Sequence, residues 1–304
     1  MAAALDPQAV QLNEAIARHS PAVLSMLSRR GLAIYFPKLG ILSQSAEARD
    51  KAINATIGTA LDEDGSAMCL PSLRDQVNLP QNSVFPYAPS PGLPAIRAAW
   101  KQMMVEKNPS LAGKTFSQPI VTCALTHGLS MAGYLFCDAG DALITPDLYW
   151  ENYDLLFSLA CGARLVRFPT FSAAGAFNVA GLRTALRRQR GEKILVSLNF
   201  PNNPTGYTPL AAEIPRIVEV LTEAADRGRK LVVLIDDAYF GLVFEDGVFR
   251  ESMFTVLCDA HPNILAVKLD GPTKEDYVWG FRIGFISFAV KGGTAELYQA
   301  LEGK

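Results

Sequence analysis

From Pro119 onward, short apolar runs alternate with longer amphipathic stretches, a texture that points to helices layered on a mostly parallel β-sheet. The runs at 120–124, 142–145, 164–168, 194–198, 231–235, 264–269 and 282–288 are candidate strands. Each is too short to be read as a helix of ordinary length. Residues 270–281 leave no room for a regular crossover helix, so the seventh strand is expected antiparallel to the sixth. One intervening helix carries clear end signals: Thr208 suits its cap, Pro209 its first position, and Gly228 its stop after Arg227. The expected fold is α/β, a mostly parallel seven-stranded sheet flanked by helices.

Before the sheet, residues 7–30 read as helix-rich, and 33–45, with Pro37 and Gly40, read as an irregular arm. Residues 62–94 are rich in Pro, Ser, Asn and Gly and favour ordered loops, either the rim of a site or plain surface. At 304 residues and 49% hydrophobic, the chain can bury a large core with a smaller partial domain beside it. Its 28 basic and 30 acidic residues are spread along the chain and give a net charge of -2, which offers no footprint for nucleic acid or an anionic membrane. Small molecules or a second copy of the chain are the expected partners. Cys69, Cys123, Cys137, Cys161 and Cys258 are scattered and lack metal-site spacing, as expected of reduced thiols. The first residues lack an apolar signal core, and no run of about 18 apolar residues follows, so a cytoplasmic location is expected. His19, His127 and His261 have no carboxylate or thiolate partner at a telling spacing and read as incidental.

In a parallel α/β sheet, ligands sit beyond the carboxyl ends of the strands. The run 194–198 is followed there by Asn199-Phe200-Pro201-Asn202-Asn203-Pro204-Thr205-Gly206, a loop stiffened by prolines that holds Asn203 in place, or simply a turn. The run 231–235 leads into Asp236-Asp237-Ala238-Tyr239. A carboxylate at the end of a buried strand needs a cationic or proton-donating partner, unless it serves as a helix cap or a surface ion-pair member. The run 264–269 leads into Asp270-Gly271-Pro272-Thr273-Lys274, where a tight loop can aim the lysine inward, although a lone lysine is more often a surface residue.

Taken together, these segments resemble the fold-type I pyridoxal 5′-phosphate (PLP) enzymes, specifically the class I/II aminotransferases related to aspartate aminotransferase. The family's Asn-Pro-Thr-Gly matches Asn203 through Gly206, its Asp-x-Ala-Tyr matches Asp236 through Tyr239, and its lysine and following arginine match Lys274 and Arg282. The resemblance implies a PLP-binding large domain at 61–288, N-terminal helices and arm belonging to a small domain at 1–60, and the start of a linker helix at 289–304. It implies that Lys274 carries the cofactor as an imine and acts as base and acid, that Asp236 keeps the pyridine nitrogen protonated, and that Asn203 and Tyr239 bond the ring oxygen. Arg282, Thr126 and the turn Ala124-Leu125-Thr126 are implied to hold the phosphate, with Thr273 as a further contact. Trp150, in Pro146-Asp147-Leu148-Tyr149-Trp150, is implied to stack on the ring, or else packs in the core. Gly58 is carried over as a substrate contact. Tyr87, in Tyr87-Ala88-Pro89-Ser90-Pro91-Gly92-Leu93, matches a segment that reaches the phosphate of the other subunit in a homodimer.

Two departures stand out. Where many relatives have a serine ahead of the lysine, this chain has Gly271, so the phosphate grip there must rest on backbone or Thr273. The family also continues into a smaller domain with a substrate-clamping arginine, and this sequence ends before such a residue. The expected activity is transamination between an amino acid and a 2-oxo acid. Elimination by a β-lyase on the same scaffold and a catalytically impaired PLP-binding protein are the alternatives.

Overall fold

Seven strands join in one sheet in the order β1-β7-β6-β5-β4-β2-β3: β1 Ile120–Cys123, β2 Ala142–Pro146, β3 Arg164–Phe168, β4 Lys193–Asn199, β5 Lys230–Asp236, β6 Ile264–Asp270 and β7 Ile283–Ala289. This computed structural model describes residues 5–35, 44, 45, 47, 48, 50, 51, 53, 54, 56 and 58–304. β7 runs antiparallel to both β1 and β6, while the other neighbouring strands are parallel. The short 270–281 connection thus has the consequence expected of it. The expected strands are all present, with ends shifted by a residue. Ala124 opens a helix rather than closing β1, and Arg282 precedes β7 instead of belonging to it.

The strands are apolar on both faces because helices cover both. In β5, Leu231, Val233 and Ile235 join one core, with the helices α1 Pro94–Lys107, α2 Val179–Arg188 and α3 Ile214–Asp226. Val232 and Leu234 join the other, with α4 Ala124–Phe136, Tyr153, Phe157 and Tyr298 of α5 Ala295–Gly303. Alternation along a strand sends successive side chains to opposite faces. Each fully buried Val, Leu or Ile contributes about 1.5–3 kcal/mol, so this two-sided burial dominates the stability of the sheet.

The helix expected from Thr208 begins later, at Ile214, with Pro215 in its first turn. Residues 209–211 are drawn into a bridge instead: Leu210 pairs with Val248, the Phe249 N–H donates to the Pro209 carbonyl, and the Ala211 N–H to that of Gly247. Backbone groups used this way are not free for a helix. The stop is as expected, with Gly228 at φ 85 and its N–H on the Ala225 carbonyl.

Ahead of the sheet lie helices at Pro7–His19, Pro21–Met26 and Arg29–Ala33, and 62–93 is loop with two single turns, Pro71–Arg74 and Gln81–Val84. Most of the arm expected at 33–45 lies outside the described residues. The Nε2 of His261 lies 3.3 Å from a carboxylate oxygen of Asp226, which is exposed, a pairing between segments that no local spacing reveals. Among the described residues no helix is long and apolar enough to cross a membrane.

Candidate active site

The carboxyl ends of the parallel strands and the amino end of antiparallel β7 share one edge of the sheet. Cys123, the last residue of β1, pairs with Ile283, the first of β7. The residues flanking this pair, Ala124 and Arg282, are both left-handed, at φ 59 and 52. Non-glycine residues in that region cost on the order of 1–3 kcal/mol each and persist only where surrounding structure imposes them. Close backbone packing imposes them here. A Cβ on Gly284 would lie 2.7 Å from the Ala124 carbonyl carbon, and one on Gly271 would lie 2.9 Å from the Ile283 carbonyl oxygen. Gly271 therefore has no room for a hydroxyl-bearing side chain in this arrangement, which leaves Thr273, buried nearby, as the hydroxyl of that loop.

A cavity of about 420 Å³ opens at this edge. Ala124, Leu125 and Thr126 line it from the first turn of α4, whose N–H groups have no intrahelical partner. Asn203 lines it from the loop after β4, Asp236 and Tyr239 from the end of β5, Thr273 and Lys274 from the loop after β6, and Arg282 from the approach to β7. Trp150 and Gly58 complete the set. Eleven of the twelve residues singled out in the sequence, from separate parts of the chain, thus meet around one space. Tyr87 is the exception; it stands fully exposed and is not part of the cavity wall of its own chain.

The electrostatics follow from burial. Asp236 is 3% exposed, and burial raises its carboxyl above the ordinary range, against the lowering effects of the Tyr153 hydroxyl, the Ala238 N–H and the charge of Lys274. The Tyr153 hydroxyl donates to Asp236 Oδ2 at 2.6 Å, and the Ala238 N–H to Oδ1 at 3.2 Å. Burial lowers Lys274, as does Arg282, while Asp236 opposes them. An amine held this way is neutral and nucleophilic at lower pH than a surface lysine. Its Nζ lies 5.1 Å from the centroid of the Tyr239 ring. Burial and Asp236 raise the Tyr239 phenol, so it remains a proton donor. Among the described residues no carboxylate is paired with Arg282, which leaves its guanidinium available to an anion.

Several contributors were not singled out in the sequence. Asn199 lines the cavity, its side-chain amide donates to the Asp236 carbonyl at 2.7 Å, and its Oδ1 accepts from the Asn203 N–H at 2.7 Å. It thereby fixes both the acid and the loop. A buried polar residue ending an otherwise apolar strand was the available signal. Thr59, Asn152 and Trp279 also line the space. Tyr153 carried no local signal, because its contact with Asp236 spans 83 positions.

The family profile of "Aminotransferase class I and II" matches residues 50–301. The chain is 28% identical over 209 residues to a protein named probable N-acetyl-LL-diaminopimelate aminotransferase from Bacillus subtilis (strain 168), covering 69% of this chain and 49% of that one. It is 24% identical over 258 residues to a protein named probable aspartate/prephenate aminotransferase from Aquifex aeolicus (strain VF5), covering 83% and 60%. The chain therefore spans about half to three-fifths of the length of these relatives. A crystal structure of an aminotransferase from Anaerococcus prevotii DSM 20548 superposes with a TM-score of 0.78 at 25% identity, over 91% of this chain and 69% of that one.

Proposed function

The chain belongs to the class I and II aminotransferase family, and on that footing we propose that it moves an amino group between an amino acid and a 2-oxo acid, using PLP held in the cavity. The observation that carries this reading is one half-buried amine, Lys274, that shares a single cavity with a buried carboxylate, Asp236, and with a guanidinium, Arg282, that has no carboxylate partner among the described residues. The residues fit the group chemically. Arg282, Thr126 and the start of α4 supply donors for a phosphate, Asp236 an acceptor for a protonated ring nitrogen, and Lys274 an amine for an aldehyde.

When bound, PLP would supply an electron-accepting ring for the charge that develops at the substrate α-carbon. In this reading Lys274 would hold the group through its amine and, at its Nζ, would take up the substrate α-proton and give it back. Asp236, held by Tyr153, would keep a proton on the ring nitrogen. Tyr239 and Asn203 would hydrogen-bond the ring oxygen, Trp150 would pack against the ring, and Gly58 would border the substrate. Tyr87, exposed beside Val84 and Phe85, which are 53% and 79% exposed, is assigned to the phosphate of a second copy of the chain. A monomer that binds PLP tightly would reject that assignment.

A visible spectrum of the PLP-loaded protein, recorded with a panel of amino acids, tests the function. A band bleached by an amino acid, with a new amino acid formed from added 2-oxo acid, is the expected result. Pyruvate and ammonia released without an acceptor would replace transamination by elimination, and a band that no amino acid alters would leave a binding protein. Borohydride reduction and peptide mapping should place the label on Lys274, and Lys274→Ala should abolish it.

A further inference from the structure

Beneath the cavity edge, on the other face of the sheet ends, sits a charged cluster that the proposed chemistry does not use. Lys268 of β6 is 0% exposed, and Asp237 and Asp270 beside it are 2% and 4% exposed. The Lys268 ammonium donates to Asp237, and it lies 3.1 Å from an Asp270 carboxylate oxygen. The Ser252 hydroxyl also donates to Asp237, at 2.5 Å, and the Trp100 indole N–H donates to Asp270 at 3.1 Å. Trp100 stacks on Phe285 of β7 at 4.3 Å, and the Phe240 ring lies 4.9 Å from the Lys268 ammonium.

An ion cluster of this kind is costly to bury and gives little net stability relative to well-packed apolar side chains, but its geometry can fix how elements meet. The elements here are the two that present the reactive groups. Asp237 directly follows Asp236, at the end of β5, and its N–H donates to the Leu269 carbonyl of β6 at 2.9 Å. Asp270 ends β6, from which the loop leads to Lys274. Lys268 is paired with Ile235 in the ladder, so its side chain reaches forward to the carboxylates at the ends of both strands.

We propose that Lys268 is a positioning residue: by tying Asp237 and Asp270 together from beneath, it sets the placement of Asp236 relative to Lys274 in the cavity above. This rests on the reading of Lys274 and Asp236 as the reactive pair, and its test needs neither bound cofactor nor turnover.

The experiment follows the pH dependence with which trinitrobenzenesulfonate modifies Lys274 in the cofactor-free protein, quantified by peptide mass mapping. Two variants are matched in charge. Asp270→Asn brings the Lys268, Asp237 and Asp270 set to neutrality but keeps the Lys268 to Asp237 tie. The triple variant Lys268→Met, Asp237→Asn, Asp270→Asn reaches the same charge without the tie. The expected result is a several-fold faster modification of Lys274 near neutral pH in the triple variant than in Asp270→Asn, because Asp236 no longer sits where it favours the ammonium. Equal profiles in the two variants would overturn the proposal, since charge alone would then account for any change. If the triple variant does not fold, Lys268→Met with Asp237→Asn keeps the parent's charge and is compared with the parent, with the same expectation. Loss of folding in both would also overturn the proposal, because the cluster would then be a condition of folding rather than a setting of the site. Absence of PLP binding by the parent would remove the proposed function and leave this comparison intact.

Discussion

The Tyr153 hydroxyl donates a 2.6 Å hydrogen bond to the Asp236 carboxylate, and both side chains are buried, at 1% and 3% exposure. The tyrosine lies just ahead of an irregular helical turn at Asp154–Leu159, in contact with Phe157 and Trp150. Burial and the neighbouring carboxylate hold its phenol well above its usual range, so it keeps its proton and serves as the donor of this pair.

Tyr153→Phe removes that donor and leaves Asp236 with fewer partners in an apolar setting. A hydrogen bond to a charged group contributes about 1.5–3 kcal/mol, so urea denaturation should show a loss of about that size. Asp236 should also become harder to ionise, since the Tyr153 bond is among the influences that lower its carboxyl. An unchanged denaturation midpoint would show that water replaces the hydroxyl at no cost.

Asp236→Asn preserves size and an acceptor for Tyr153 but cannot hold a proton on a ring nitrogen. PLP should still bind, while transamination falls by on the order of 100-fold or more, the usual loss on removing one aimed electrostatic group. Stopped-flow spectra would locate the loss in α-proton removal. Parent-like turnover would detach Asp236 from the chemistry.

Gly58→Ala should perturb the site without touching the fold. A Cβ at Gly58 would stand 3.2 Å from the Tyr239 hydroxyl, closer than most real contacts, so the phenol must move by a few tenths of an ångström. Misplacement of a catalytic group by that order commonly lowers turnover severalfold. The expected outcome is reduced activity with an unaltered melting temperature; equal loss of both would mean the glycine is structural.

Asp237 gives a pH dependence of stability. Burial pushes its carboxyl up to about 6, against Lys268 and Ser252, which lower it. A carboxyl that binds its proton more tightly when folded stabilises the fold while protonated, so its contribution is present at low pH and is lost as pH rises from 3.8 to about 6. Denaturation midpoints across that window should carry a downward component that disappears in Asp237→Asn. A variant with the parent's slope would place the effect on other groups.

Local pattern determined the sheet, because seven apolar runs can satisfy their backbone and bury both faces in few ways, and the short 270–281 link forced β7 to turn back. Local pattern also placed Asn203, Asp236 and Lys274 after strands, since strand ends in such a sheet deliver their residues to one edge, while their roles and the choice of Arg282 rested on the family resemblance. It misplaced the start of α3, where a bridge between Leu210 and Val248 outcompeted a plausible cap at Thr208. What tertiary structure alone decided are the contacts between distant positions. Tyr153 meets Asp236 across 83 residues, Trp100 meets Asp270 across 170, and Lys268 finds Asp237 across 31. Periodicity and capping report what a residue does within its own turn or strand. The partner of a buried charge is fixed only when the layers close and water is excluded, and then desolvation makes that partner necessary.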